Sequence, residues 1–270
     1  MRFIIFFISI LRGLYAYRGF ILGSVKREFQ TKYQASTLGA LWSVINPVAM
    51  IVVYTVIFSQ VMRTRLPSVN SDFGYSIFLC AGVLTWGLFA EITGKTLNIF
   101  LEHAGLIKKI SFPRISLPVI VILNAVLNFS IVFGIFTLFM VISGNFPGLV
   151  YFAIFPIFLV QILFAVGLGM TLGVLNVFFR DVGQFFNIFL QFWFWLTPIV
   201  YPPEILPSYV RSWLVINPIA TLIEAYQLIL VYGQWPNWFR LIPVIIVSLG
   251  VCFIGLNLFR KHSAEIVDEI

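Results

Sequence analysis

Long apolar runs separated by short basic or polar segments make up most of the chain. A membrane-spanning helix needs about 20 mostly apolar residues. Six stretches meet that requirement: Leu38–Val61, Phe73–Ala90, Ser116–Ile142, Leu149–Phe179, Val182–Tyr201 and Phe239–Phe259. The fourth is too long for one straight crossing and contains Pro156, so it is expected to tilt or to begin in the interface. Before the first span, residues 3–35 read as an interfacial, partly amphipathic helix. The apolar Phe3–Leu11 has about the length of a signal-peptide core. Arg12, Arg18, Lys26, Arg27 and Lys32 follow it without a small-x-small cleavage site, which favours the helix.

The segment Pro202–Trp238 breaks the pattern. It carries Asn217-Pro218, then an apolar helical stretch Leu222–Leu230 that includes Glu224 and Gln227, then Gly233. Proline suits a helix start and glycine a helix stop. The stretch is too short and too polar to cross alone, so a re-entrant pair dipping into the outer leaflet is expected. Backbone at that depth must be packed in protein or line a cavity.

Composition sharpens this picture. Of 270 residues, 60% are hydrophobic and only 10% charged, with a mean hydropathy of +1.01. Soluble domains carry about 25% charged residues, so lipid must be the solvent for most of this surface. The net charge of +7 reports topology here, not a nucleic-acid footprint, because the basic residues sit between the apolar runs. With the N-terminus inside, thirteen Lys and Arg fall in cytoplasmic segments and four outside, namely Arg63, Arg65, Arg211 and Arg240. The expectation is therefore an all-α, polytopic membrane protein with six transmembrane helices and both termini cytoplasmic. It forms one transmembrane domain over 1–270, divided into an interfacial segment 1–37, six spans 38–259 and a tail 260–270.

Candidate chemistry is sparse. The ten carboxylates all fall outside the middle of the predicted spans, and His103 and His262 are far apart. The chain has no HExxH, GxSxG or paired-acid constellation, and no GxxxxGK[ST] loop to cradle nucleotide phosphate. It is not expected to be an ATPase, nor to hold a metal or cofactor. Cys80 and Cys252 lie in apolar runs and read as small buried hydrophobes. A proton- or sodium-coupled carrier needs an ionisable group near the midplane. Glu224 is the one candidate, and a local cap or ion pair is the favoured reading of it. Gly169 and Gly173, with Ala165, form a small helix-packing face.

The spans do contain amides and aromatics. On the fifth, Gln184, Asn187 and Gln191 recur at i, i+3 and i+7, and Trp195 continues the stripe among many phenylalanines. On the third, Asn124 and Asn128 share a face. Sugars are bound by this combination, because aromatic rings cover their apolar faces and amides hydrogen-bond without charge. Interhelical hydrogen bonds, worth about 0.6–2 kcal/mol each in membranes, are the other reading. The cytoplasmic segment Asn98–Arg114 reads as a short helix with apolar and basic faces, stopped by Pro113. Such a helix serves either as an interfacial anchor or as a docking element for a cytoplasmic partner.

Five motifs in order then carry a resemblance. Lys32-Tyr33, Ser36, Leu38-Gly39, Leu41-Trp42 and Asn46-Pro47 lead into the first span. Phe112-Pro113-Arg114 with Leu117-Pro118 precedes the third. Asn176 to Gly183, with Arg180-Asp181, makes the turn between the fourth and fifth. Thr197-Pro198 to Tyr201-Pro202, and Asn217-Pro218, close the outer side. Over nearly its whole length the chain resembles the type-2 ABC transporter permeases that export bacterial polysaccharides. That resemblance implies a homodimer in the bacterial inner membrane, with two cytoplasmic nucleotide-binding subunits that hold ATP and Mg, and a lipid-linked glycan as substrate. It further implies a coupling helix over Leu101–Phe112, with Leu101, Glu102, His103, Leu106, Ile107, Lys108 and Lys109 meeting the ATPase. Residues 203–230 become a periplasmic gate containing Asn217, Pro218 and Glu224. O-antigen, capsule and teichoic-acid exporters share the pattern. A drug-exporting permease, a membrane glycosyltransferase and a passive channel are the other readings. The second lacks catalytic acids, and the third has no use for long basic docking elements.

Overall fold

A backbone in lipid must satisfy its polar groups internally, and this chain does so with helices. The computed structural model describes residues 12–34, 39–57, 73–109 and 114–269, and no strand occurs among the described residues. In chain order the α-helices are α1 (Arg18–Gln34), α2 (Trp42–Tyr54), α3 (Gly74–Glu102), α4 (Ala104–Lys109), α5 (Ser116–Ile142) and α6 (Ile154–Phe178). They continue with α7 (Asp181–Leu196), α8 (Ser208–Leu214), α9 (Pro218–Tyr232), α10 (Trp238–His262) and α11 (Glu265–Glu269). The protein is a polytopic all-α membrane protein. Among the described residues four helical stretches are long and apolar enough to cross a bilayer: α3, α5, Gly148–Phe178 and α10.

Several predicted boundaries move. The second span does not stop at Ala90. Helix α3 runs 29 residues to Glu102 and carries Glu91 and Lys95 inside it. An i,i+4 pair with 2.9 Å between Lys95 Nζ and Glu91 Oε1 offsets the cost of that placement. Glu91, expected just beyond the second span, thus lies within the same continuous helix as that span. Helix α7 stops at Leu196, five residues before the predicted end, because Thr197 turns to extended backbone ahead of Pro198. At 16 residues it is about 24 Å long, short of a full crossing. The fourth span begins with a 3₁₀ turn, Gly148–Ala153, and Pro156 lies in the first turn of α6, where its missing N–H costs nothing. Of the first span residues 39–57 are described, so its predicted limits at Leu38 and Val61 lie outside the described residues.

Where a re-entrant pair is expected, the structure has two helices bent sharply against each other, a shape that fits a re-entrant pair or a broken span. Helices α8 and α9 are bent by 97° across a short break. Asn217 caps α9 by accepting from the Ala220 amide, Pro218 opens it, and Gly233 closes it at φ 62°.

Helix α6 is clamped between α3 and α10 through small residues. A Cβ on Gly169 would lie 2.7 Å from Thr96 Cβ, and one on Gly173 2.7 Å from the Thr96 carbonyl oxygen. On the other side, a Cβ on Gly255 would lie 2.8 Å from the Gly167 carbonyl. Close backbone approach of this kind replaces the hydrophobic drive that lipid removes. At one end of the bundle, Ile99, Phe100, Ile107, Met170, Val174, Phe259 and Ile266 form a second apolar cluster joining α3, α4, α6, α10 and α11.

Candidate functional site

Helix α7 has two unlike faces. Phe186 is buried, and the Trp193 ring lies against Phe89, Trp86 and Phe164 with centroids 5.3, 6.2 and 6.5 Å away. The opposite face is left uncovered by the other described residues. Gln184, Asn187 and Gln191 are exposed, and among the described residues their side chains have no hydrogen-bond partner. Trp195 is 64% exposed, flanked by exposed Phe185, Ile188 and Phe192. Trp86, Leu190, Gln191, Phe194 and Trp195 line a cavity of about 390 Å³ on this side. Glue between helices of one chain would bury these amides and pair them. Here they are free to meet a hydroxyl-rich ligand or a second polypeptide.

The other two predicted path residues have partners of their own. Asn124 Nδ2 donates to Glu28 Oε2 on α1, and Asn128 Nδ2 donates to Glu91 Oε1 at 3.0 Å. Lys95 joins both carboxylates, 3.2 Å from Glu28 and 2.9 Å from Glu91. This five-residue network ties α1 to α3 and α5. The shared face of Asn124 and Asn128 was legible in the sequence. Their partners, 96 and 37 residues away, were not.

The predicted coupling segment is broken in two. Leu101 and Glu102 end α3, His103 makes the turn, and α4 carries Leu106, Ile107, Lys108 and Lys109. The His103 carbonyl accepts from the Leu106 and Ile107 amides, each at 2.9 Å, which fixes α4 to the end of α3. Ile107 is buried at 6% exposure in the apolar cluster beneath, and Leu106 is half-buried. The outward surface is instead Glu102, Gly105 and Lys108, all exposed. Residues 110–113, including Phe112 and Pro113, lie outside the described residues. Just beyond them, Arg114 donates to the Ser263 carbonyl and binds this end to the end of α10.

At the opposite end, Asn217 does more than cap α9. Its Oδ1 accepts from Trp193 Nε1 at 3.0 Å, and its Nδ2 donates to Thr197 Oγ1 at 3.0 Å. Tyr75 donates to the Val200 carbonyl at 2.7 Å, and Gly82 lets the Ile199 carbonyl lie against α3. The chain after α7 is thereby pinned. Glu224 pairs with Arg240 of α10 at 3.2 Å, which favours the local ion-pair reading. The pair lies on a cavity of about 700 Å³ that also meets Glu204, Arg211, Thr221 and Gln227. Sequence patterning singled out Trp195 and passed over Trp193, because adjacent aromatics on a short helix give no signal for which one is anchored.

Residues 21–231, from within α1 to the end of α9, match the family described as ABC-2 type transporter. The chain belongs to that family. Within it, the chain is similar to the O-antigen export system permease protein RfbA of Myxococcus xanthus, at 29% identity over 266 residues, covering 97% of this chain and 100% of that protein. A Klebsiella pneumoniae protein of the same name is 29% identical over 237 residues, covering 87% of this chain and 88% of its own. The polysialic acid transport protein KpsM of Escherichia coli is 23% identical over 241 residues, with 88% and 91% coverage. The family match takes in α4, α7 and the α8–α9 pair together.

Proposed function

We propose that this ABC-2 chain is the membrane subunit of an ATP-driven exporter that moves lipid-linked polysaccharide, of O-antigen or capsule type, across the bacterial inner membrane. Two copies would form the path, each docked through α4 onto a cytoplasmic nucleotide-binding subunit that hydrolyses ATP. Both termini are then cytoplasmic, and α8–α9 form the periplasmic gate. The observation that carries this reading is the uncovered amide and aromatic face of α7, in a chain whose similarity to polysaccharide-export permeases covers most of its length. An uncharged, aromatic wall suits a polymer that must slide, since stacking tolerates changes of register and fixed charges would trap it. Gln184, Asn187, Gln191 and Trp195 are assigned to that wall. Asn124 and Asn128 are assigned to the α1 network beside it.

The test is export in a reconstituted system. The chain, co-purified with its ATPase and placed in vesicles, should move lipid-linked glycan across the bilayer only with ATP. A cell lacking the chain should accumulate that glycan on the cytoplasmic leaflet. Normal glycan surface display in the deletion strain would refute the assignment.

A further inference from the structure

The turn between α6 and α7 contains a buried amide that belongs neither to the path wall nor to the docking helix. Asn176, near the end of α6, is 2% exposed. Its Oδ1 accepts from the Gly183 amide, in the first turn of α7, at 2.9 Å. Its Nδ2 donates to the Leu97 carbonyl and to Asn98 Oδ1 on α3, both at 3.3 Å. One side chain therefore bonds three helices. The first-turn amides of a helix lack the usual i−4 partner. The Gly183 amide also reaches the Arg180 carbonyl at 3.3 Å, and its shorter bond, at 2.9 Å, goes to Asn176 and attaches the start of α7. A Cβ at Gly183 would lie 2.8 Å from Asn176 Oδ1, so any side chain there forces the Asn176 amide to shift.

Position gives this bond its meaning. Leu97 and Asn98 lie one turn before the end of α3, from which α4 departs through His103. Close packing of Gly169 and Gly173 on Thr96 makes α3 and α6 move together at this level. Helix α7, by contrast, follows α6 through only Phe179 and Arg180 and is uncovered along one face. A tilt of about 10° at its start moves the far end of a helix about 24 Å long by about 4 Å. We propose that Asn176 is the positioning residue that carries displacement of α4 into α7. It holds the start of α7 to the α3–α6 block, so that movement at the docking helix becomes movement of the path wall. This rests on α4 as the docking element and α7 as the wall. Asn176 itself touches no substrate.

The test uses the reconstituted complex with its ATPase. In a background with Cys80 and Cys252 changed to Ala, a spin label at Ile188 reports the distance between the two copies of α7. Folded yield, ATP hydrolysis and exported glycan are measured alongside in unlabelled protein. Asn176→Leu keeps the volume and removes all three bonds. Gly183→Ala pushes the amide off its partner and serves if the first variant does not fold. The expected result is folded protein that still hydrolyses ATP, with glycan exported per ATP lower by about five-fold or more. The ATP-induced change at Ile188 should shrink in parallel. Retention of that change and of the export ratio would overturn the proposal. So would loss of hydrolysis and export in proportion to folded yield, which a purely structural bond predicts. A wild-type complex that exports without moving Ile188 overturns the relay while leaving the exporter reading intact.

Discussion

The indole nitrogen of Trp193 donates to the side-chain oxygen of Asn217 at 3.0 Å, joining the C-terminal end of α7 to the cap of α9. The same asparagine donates to Thr197 Oγ1, which in turn donates to the Trp193 carbonyl at 2.8 Å. A residue that caps one helix thus also fixes the exit of another. Asn176 does the equivalent at the other end of α7. The short helix is held at both tips and free along one flank.

Trp193 and its near neighbour Trp195 should behave oppositely on truncation. Removing the packed Trp193 ring should cost about 3–5 kcal/mol of stability. Trp193→Phe, which loses mainly the bond to Asn217, should cost about 1 kcal/mol. Trp195→Ala should leave stability within about 0.5 kcal/mol. Unfolding of the purified protein in mixed detergent micelles would rank the three variants.

Helix α4 separates fold from docking. Ile107 lies in the apolar cluster, so Ile107→Asp buries an unpaired charge and should lower folded yield sharply. Gly105 is exposed, and a Cβ added there would meet no atom within 4 Å. Gly105→Trp should therefore leave the fold intact and block assembly with the ATPase. Co-purification from membranes checks it. A Gly105→Trp variant that still binds its partner and exports would assign α4 to membrane anchoring alone.

Orientation is open to direct labelling. Cysteine at Gln234, exposed between α9 and α10, should react with an impermeant thiol reagent in cells with a permeabilised outer membrane. Cysteine at Gly105 should react only after the inner membrane is opened. The reverse pattern would invert the predicted topology.

Element order, the two short helices before the last one, and the start of α9 at Asn217-Pro218 and its stop at Gly233 were all legible in the sequence, because local turn chemistry sets them. The extent of α3 was not. Glu91 and Lys95 look like loop residues when counted singly, and become compatible with a membrane helix only as a pair four residues apart. The burial of Ile107 was hidden for a related reason. A six-residue helix such as α4 shows too little periodicity to tell that Ile107 faces the chain's own core. The amide stripe of α7 was legible, since its spacing follows helical geometry. Its uncovered state depends on neighbours that no spacing reveals.

That stripe gives the last prediction. If Gln184, Asn187, Gln191 and Trp195 meet the glycan, their loss should slow export without harming the fold, since none of the four packs into the core. Trp195→Ala removes a ring face and should reduce export about two- to ten-fold, the kinetic equivalent of losing about 0.5–1.5 kcal/mol of aromatic contact. Gln191→Leu keeps the volume and removes the amide, so any loss it causes reports hydrogen bonding rather than space. Should the stripe instead seat a second copy of the chain, both variants would reduce dimer recovery along with export. Size-exclusion chromatography and glycan export, measured on the same preparations, decide between wall and interface. Dimer loss in step with export loss would reassign the face to the contact between copies.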